Sequence, residues 1–371
     1  MIYLDNAATT KPSQAAISAA QAAFDAFGNP SSLHRLGMDA EKIITEARET
    51  VARELSVEPK SIYFTSGGTE SNNTAIIGYS LANKKRGNHL VTTKIEHPSV
   101  LEPFKYLEQL GFEVSYVGAK ADGTISLEEF ENALRADTIL ASVMAVNNET
   151  GVIQPFDKLK AIMKVNSPLA VLHSDCVQAF CKIPLAPKKC GIDMLSLSAH
   201  KIHALKGTGA LYLADNVRIL PILKGGGQEK GLRSGTENTA GIAALSAGVK
   251  DFKKIGQEKR MELSKKILEN IKDTTVNGTA ENSGYVLNVS FSGIKSEVLL
   301  HSLEARGIFV STGSACSSHK PQPSHVLTAM GVERKNIDGA IRFSFSDENF
   351  DADFVVSVLK EEVEKIRKYV R

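Results

Sequence analysis

Short runs of Val, Ile, Leu and Ala alternate with stretches of helical period as far as residue 250, and this alternation most limits the folds open to the chain. A strand that is apolar at nearly every position must be covered on both faces, and parallel neighbours need a helical crossover between them. Runs at Ser61 to Phe64, His89 to Thr93, Glu113 to Val117, Thr138 to Val146, Ala170 to Ser174, Met194 to Ser198 and Gly209 to Leu213 fit that description. Ahead of them, Ala40, Ile43, Ile44, Ala47, Val51 and Leu55 recur at i, i+3, i+4 with charges between, as on an amphipathic helix. The pattern predicts an α/β fold, with a large unit over residues 13–250 built on a mixed, mostly parallel sheet.

Beyond Gly225-Gly226-Gly227 and a helix around Ala240 to Val249 the character changes. Charge is dense over Lys250 to Lys272, with Ile255, Met261, Ile267, Leu268 and Ile271 at helical spacing, which predicts one bridging helix. Strands near Tyr285 to Phe291 and Ala340 to Phe345 follow, then a closing helix with Phe354, Val355, Val358, Leu359, Val363, Ile366 and Val370 on one stripe. A smaller α+β unit made of residues 1–12 and 251–371 is expected.

At 371 residues the chain can bury roughly three quarters of its unfolded surface, so a core needs no covalent staples. Forty-four Lys and Arg against 42 Asp and Glu leave a formal charge of +2, which removes a whole-chain case for nucleic acid as partner. No apolar run approaches the length of a membrane span. The four cysteines, Cys176, Cys181, Cys190 and Cys316, form no CxxC pair, and Met1-Ile2-Tyr3-Leu4-Asp5 has no signal-peptide character, so a cytoplasmic location is expected.

Three motifs carry chemistry. Ser66-Gly67-Gly68-Thr69-Glu70-Ser71-Asn72-Asn73 follows an apolar strand, where glycines and free N–H groups at a helix start can cup a phosphate; by itself it fits a capping turn equally well. His173-Ser174-Asp175-Cys176-Val177-Gln178 ends another strand and aims a carboxylate into the crevice where open α/β sheets bind ligands. Ser196-Leu197-Ser198-Ala199-His200-Lys201, 26 residues beyond Asp175 at its lysine, brings an amine to the same crevice. Phosphate cup, carboxylate for a ring nitrogen and amine for a Schiff base are together what pyridoxal phosphate requires. His97, in Glu96-His97-Pro98-Ser99, is placed to stack on a planar cofactor. No HExxH or Cys/His cluster supports a metal, and none is expected. Cys316, within Ser311-Thr312-Gly313-Ser314-Ala315-Cys316-Ser317-Ser318-His319, sits among small and hydroxylic residues as in an exposed loop, whereas Cys176, Cys181 and Cys190 read as small core hydrophobes.

These residues, with Leu4-Asp5-Asn6-Ala7-Ala8-Thr9-Thr10, Gly28-Asn29-Pro30-Ser31-Ser32-Leu33-His34, Asn147-Asn148-Glu149-Thr150-Gly151, Gly225-Gly226-Gly227-Gln228-Glu229 and Arg233-Ser234-Gly235-Thr236-Glu237-Asn238 in order, resemble the cysteine desulfurases of the NifS/IscS type. That family consists of fold type I pyridoxal-phosphate enzymes related to class V aminotransferases. The Gly-Ser-Ala-Cys form of the cysteine loop is similar to the group with a longer, mobile loop. The resemblance implies that Lys201 carries the cofactor and moves the substrate α-proton. It implies that Asp175 pairs with the pyridinium nitrogen, Gln178 bonds the phenolic oxygen, and His97 stacks on the ring and shuttles protons. Gly68, Thr69, Ser198 and His200 would hold the phosphate, Thr236 would reach in from the other subunit of a homodimer, and Asn148 and Arg342 would take the substrate carboxylate. Cys316 would receive the sulfur of L-cysteine as a persulfide, release L-alanine, and pass the sulfur to an acceptor protein in iron-sulfur cluster assembly or tRNA thiolation.

Two departures qualify the resemblance. His203-Ala204-Leu205-Lys206-Gly207 replaces the family's usual His-Gly-Pro-Lys-Gly, and no further docking segment follows the final helix. Alternatives are a selenocysteine lyase, a class V aminotransferase, which would not need Cys316, and a silent sulfur-relay subunit, which would not need Lys201.

Overall fold

Hydrogen-bonded pairing over the first two thirds of the chain gives the predicted mixed, mostly parallel sheet, with one strand, next to an edge, reversed. The computed structural model describes residues 1–312 and 323–369; Cys316, His319 and Val370 lie outside the described residues. The strands are β1 (Ile2–Tyr3), β2 (Ile62–Thr65), β3 (His89–Thr93), β4 (Glu113–Val117), β5 (Thr138–Ser142), β6 (Val171–Asp175), β7 (Met194–Ser198), β8 (Gly209–Leu213), β9 (Thr274–Asn277), β10 (Val286–Phe291), β11 (Ile308–Phe309) and β12 (Ala340–Ser344). Seven of them form one sheet in the order β2-β8-β7-β6-β5-β3-β4. The pairs from β7 through β6, β5 and β3 to β4 are parallel, while β8 runs antiparallel to both β2 and β7.

Strict alternation explains why these strands stay in register. Val91, Ala141, Leu172, Leu195 and Ala210 belong to one core cluster, with Ile44, Val51 and Leu55 of the helix Arg35–Leu55. Their neighbours Leu90, Leu140, Met194 and Leu211 belong to another, with Ile76 and Tyr79 of the helix Gly68–Asn83 and Phe104 of the helix Pro98–Gln109. Both faces are dry, so a slip of one residue would exchange the two packing sets.

A third cluster unites Leu4, Leu263, Ile267, Leu287, Val289, Phe291, Ile341, Phe343, Val355, Leu359 and Val363. It packs a three-stranded antiparallel sheet, β12-β10-β9, against the helices Glu258–Asn270 and Ala352–Tyr369, and β1 pairs in parallel with β11 beside it. We propose that this cluster is the core of the smaller unit expected for residues 1–12 and 251–371.

Several boundaries differ from the sequence reading. The strand expected to run to Val146 ends at Ser142, because residues beyond it turn to line the site. The helix expected around Ala240 to Val249 is Thr239–Asp251, while the bridging helix expected across Lys250 to Lys272 is confined to Glu258–Asn270, with residues 252–257 non-helical between the two. Met261 and Leu268 are 61% and 48% exposed, so Leu263 and Ile267 supply the buried stripe instead. Phe354 is likewise 44% exposed and falls off the stripe of the closing helix. Strand β9 carries Thr274, Thr275 and Asn277 around one valine, and its polar pattern gave no apolar signal. No helix among the described residues is long and apolar enough to cross a membrane.

Candidate active site

Four parallel strands deliver their carboxyl ends to one place. Beyond β6 and β7, in register at Asp175 opposite Ser196, the chain turns sharply; beyond β3 and β5 it forms the 94–97 and 143–150 loops. They enclose a cavity of about 250 Å³ lined by Ala7, Ala8, Gly68, Thr69, His97, Asn148, Asp175, Gln178, Ser198, His200, Lys201 and Arg342, among others. The short 3-10 turn Ala199–Lys201 follows β7 directly and so places the Lys201 amine over the end of the sheet. Its Nζ donates to the carbonyl oxygen of Ala8 at 2.7 Å and also to that of Ala7.

Asp175 is buried and held from two sides: Asn72 Nδ2 donates to Oδ2 at 2.8 Å, and the Val177 N–H donates to Oδ1 at 2.9 Å. Asn72 also donates to Ser99 Oγ, which contacts His97 Nδ1 at 2.8 Å. The Ser99 N–H donates to the same Nδ1, so His97 caps the helix Pro98–Gln109 and leaves Nε2 for the cavity side of the ring. Burial pushes the His97 imidazole down from its ordinary pKa, Asp175 pulls it back up, and Lys201, His325 and Arg342 push it further down. His200, with Nδ1 at 3.1 Å from Thr9 Oγ1, is pushed down to about 4, chiefly by burial and then by Lys201, and is a neutral ring at pH 7.

Arg342 reaches the cavity from β12. Nη2 donates to Asp5 Oδ1 at 2.9 Å and Nη1 to the Asn148 carbonyl at 3.1 Å, while Nε is buried without a partner among the described residues, as is Asn148 Oδ1. At the opposite end the helix Gly68–Asn83 begins with no side-chain cap, so its first N–H groups face the cavity unpaired by side chains. Gly67 there has φ of +151°, and a Cβ on Gly68 would lie 2.7 Å from Val177 Cγ2, so backbone rather than side chain forms this wall. Thr236 does not line this cavity; it lines a separate small pocket with Glu229 and Arg233.

The chain matches the family model for aminotransferase class-V over residues 2–354. It is 42% identical to a cysteine desulfurase IscS of Methanosarcina thermophila over 99% of this chain and 93% of that protein. The chain belongs to the class-V aminotransferase family. It is also 39% identical to a cysteine desulfurase IscS of Clostridium botulinum over 99% of this chain and 95% of the relative. A NifS-like protein superposes with a TM-score of 0.87 at 35% identity, covering 100% of this chain and 99% of its own. A structure described as SspA in complex with cysteine superposes at 0.85, also with 35% identity, covering 94% and 100%.

As a class-V family member the chain uses pyridoxal 5'-phosphate, and the site fits that group on its own geometry. An uncapped helix start suits the phosphate, and a buried carboxylate with fixed orientation suits a protonated ring nitrogen. Asn148 Oδ1 and Arg342 Nε, without a partner among the described residues, mark a polar end of the cavity.

Sequence reasoning assigned no role to Ala7, Ala8, Asn72, Ser99 and Asp5, all of which shape the site. Asn72 stands four residues after Gly68 in the phosphate motif, a spacing that places both on one helix face and could have flagged it. Asp5 and Ala7 gave no such signal, because the N-terminal segment reaches the site through Asn6 Nδ2 and the Ala7 N–H, which donate to the carbonyl and Oγ of Ser344.

Glu96, one residue before His97, is fully buried, and burial pushes it up to about 8, against hydrogen bonds from the Met144 N–H and Thr93 Oγ1 to its Oε1. Its Oε2 has no partner. A carboxyl raised above its unfolded value of 4.5 contributes its full stability below that pH and loses it as pH rises toward 8. Glu96→Gln is expected to flatten that decline, so that its thermal midpoint exceeds the wild-type one at pH 8 and not at pH 4; parallel profiles for the two proteins would refute it.

Proposed function

We propose that the chain is a cysteine desulfurase that converts L-cysteine to L-alanine and takes the sulfur onto Cys316 as a persulfide. The observation that carries this reading is that Lys201, Asp175, His97, Gln178 and Arg342 line one cavity in a chain about 40% identical to cysteine desulfurases throughout its length. When bound, pyridoxal phosphate supplies an electron sink for charge developing at the substrate α-carbon.

The side chains divide the remaining work. Lys201 would hold the cofactor through Nζ and would take the substrate α-proton at the same atom. Asp175, fixed by Asn72 and Val177, keeps a proton on the ring nitrogen. Gly68, Thr69, Ser198 and His200 hold the phosphate, and Gln178 donates to the phenolic oxygen through Nε2. Arg342, aimed by Asp5, takes the substrate carboxylate with Asn148, a task suited to a planar guanidinium. His97 moves a proton at Nε2. The Cys316 thiolate attacks the substrate sulfur: an S–S bond forms, the Cβ–S bond breaks, and its electron pair stays with carbon, which is protonated to leave L-alanine.

Assembly as a homodimer is part of the reading, with Thr236 reaching the phosphate of a second copy. Its support is the position of Thr236 away from its own cavity, and the exposed Phe24, Phe27, Leu33 and Met38 close together in the chain. The free thiols of Cys176, Cys181 and Cys190 support a reducing compartment such as the cytoplasm. The sulfur acceptor would be an iron-sulfur scaffold or a tRNA-thiolation enzyme.

Product analysis tests the proposal. With L-cysteine as sole substrate, L-alanine should form and rise on addition of a reductant that clears bound sulfur. A keto acid formed by transamination, with no alanine, would assign the chain to another activity of its family.

A further inference from the structure

Lys182 is a buried amine for which the proposed chemistry has no task. It lies behind the cavity wall, with Nζ donating to Gln178 Oε1 at 3.0 Å and standing 5.4 Å from the centroid of the Tyr285 ring. The titratable groups facing it are Lys201, Arg342, His200, the Tyr285 phenol and the thiol of Cys181; among the described residues no carboxylate pairs with it. Burial, aided by Lys201, pushes its amine down to about 7. Cys181, just before it, holds a left-handed backbone with φ of 63°, uncommon for a residue with a Cβ. Strain and a buried amine with no carboxylate partner among the described residues are costs that a packing role does not require, since a methionine would fill the same volume.

The contact itself indicates the task. A carboxamide offers one oxygen and two N–H donors. Lys182 occupies the oxygen of Gln178, and one Nε2 hydrogen goes to the Ala7 carbonyl at 2.9 Å, which leaves a single N–H for the cavity that Gln178 lines. Without Lys182 the carboxamide is held by the Ala7 carbonyl alone, and its second N–H is free to rotate away from the cavity.

We propose that Lys182 is a positioning residue that pins the Gln178 carboxamide with an N–H toward the cofactor, a donor that favours the anionic form of the ring oxygen beside it. This rests on the reading that Gln178 meets the phenolic oxygen of pyridoxal phosphate. A donor aimed at the ring oxygen disfavours proton uptake by the bound chromophore, so losing it must move the titration of that chromophore to higher pH.

The test is a pH titration of the visible absorption band of the cofactor-loaded protein. In Lys182→Met the midpoint is expected to rise by about half a pH unit or more, and in Lys182→Arg, which keeps charge and donor, to stay with the wild type. If Lys182→Met does not fold, Lys182→Leu, also without a donor, carries the same expectation. A midpoint unmoved in the neutral variant overturns the proposal, whatever happens to thermal stability, as does an equal shift in Lys182→Arg. Alanine formation by the wild type is scored separately: its failure would sink the desulfurase reading while leaving the titration interpretable.

Discussion

Lys201→Ala is expected to lower the rate of alanine formation from L-cysteine by roughly three orders of magnitude or more, since it removes both the covalent anchor and the general base. The turn Ala199–Lys201 is held by the N–H of Ile202 donating to the Ala199 carbonyl, and the strand before it pairs on both sides, so alanine should not disturb the backbone. The amine does bond the Ala7 and Ala8 carbonyls, so the N-terminal segment loses one tie, but Asn6 and Ala7 remain bonded to Ser344. Steady-state kinetics together with borohydride reduction checks both halves. The variant should take up pyridoxal phosphate reversibly, and borohydride should fix no cofactor to its chain. A loss of less than tenfold would mean that another group takes the proton.

Asp175→Asn should cost about two to three orders of magnitude in kcat, with a much smaller change in KM for L-cysteine. Asparagine keeps the shape, and its Oδ1 can still accept from the Val177 N–H, so cofactor binding should survive. What disappears is the negative charge that keeps a proton on the ring nitrogen. Without it the ring withdraws electrons poorly, and the α-proton becomes harder to remove. Asn72 would face an amide in place of a carboxylate at 2.8 Å, which loosens its bond to Ser99 and, through Ser99, the orientation of His97. Comparable kcat in the two proteins would show that the carboxylate serves only to cap the end of β6.

The strands of the large sheet were legible because they are buried on both faces and therefore apolar throughout. Met194–Ser198 and Gly209–Leu213 have the very bounds that their composition suggested. Asp175 and Lys201 were legible for a related reason: a charged group at the end of such a run has no place in the core and must face a crevice. β9 escaped notice because an edge strand with half-exposed threonines carries no such signature. The break between Asp251 and Glu258 was hidden by charges and apolar residues that continue at helical spacing through it. The pairing of Asp5 with Arg342 spans 337 residues, and only the fold brings them to 2.9 Å. Asn72 stood inside a motif already singled out and Lys182 four residues beyond another, but what they do depends on the side chains they meet, Asp175 and Ser99 for the first and Gln178 for the second.

Peptide mass spectrometry after a single turnover with L-cysteine tests the central claim, that the Lys201 cavity hands its sulfur to Cys316. The account predicts one added sulfur atom on the peptide bearing Cys316, removable by reductant and absent from Lys201→Ala. Alanine produced while that peptide stays unmodified, or sulfur found instead on the peptides of Cys176, Cys181 or Cys190, would contradict it.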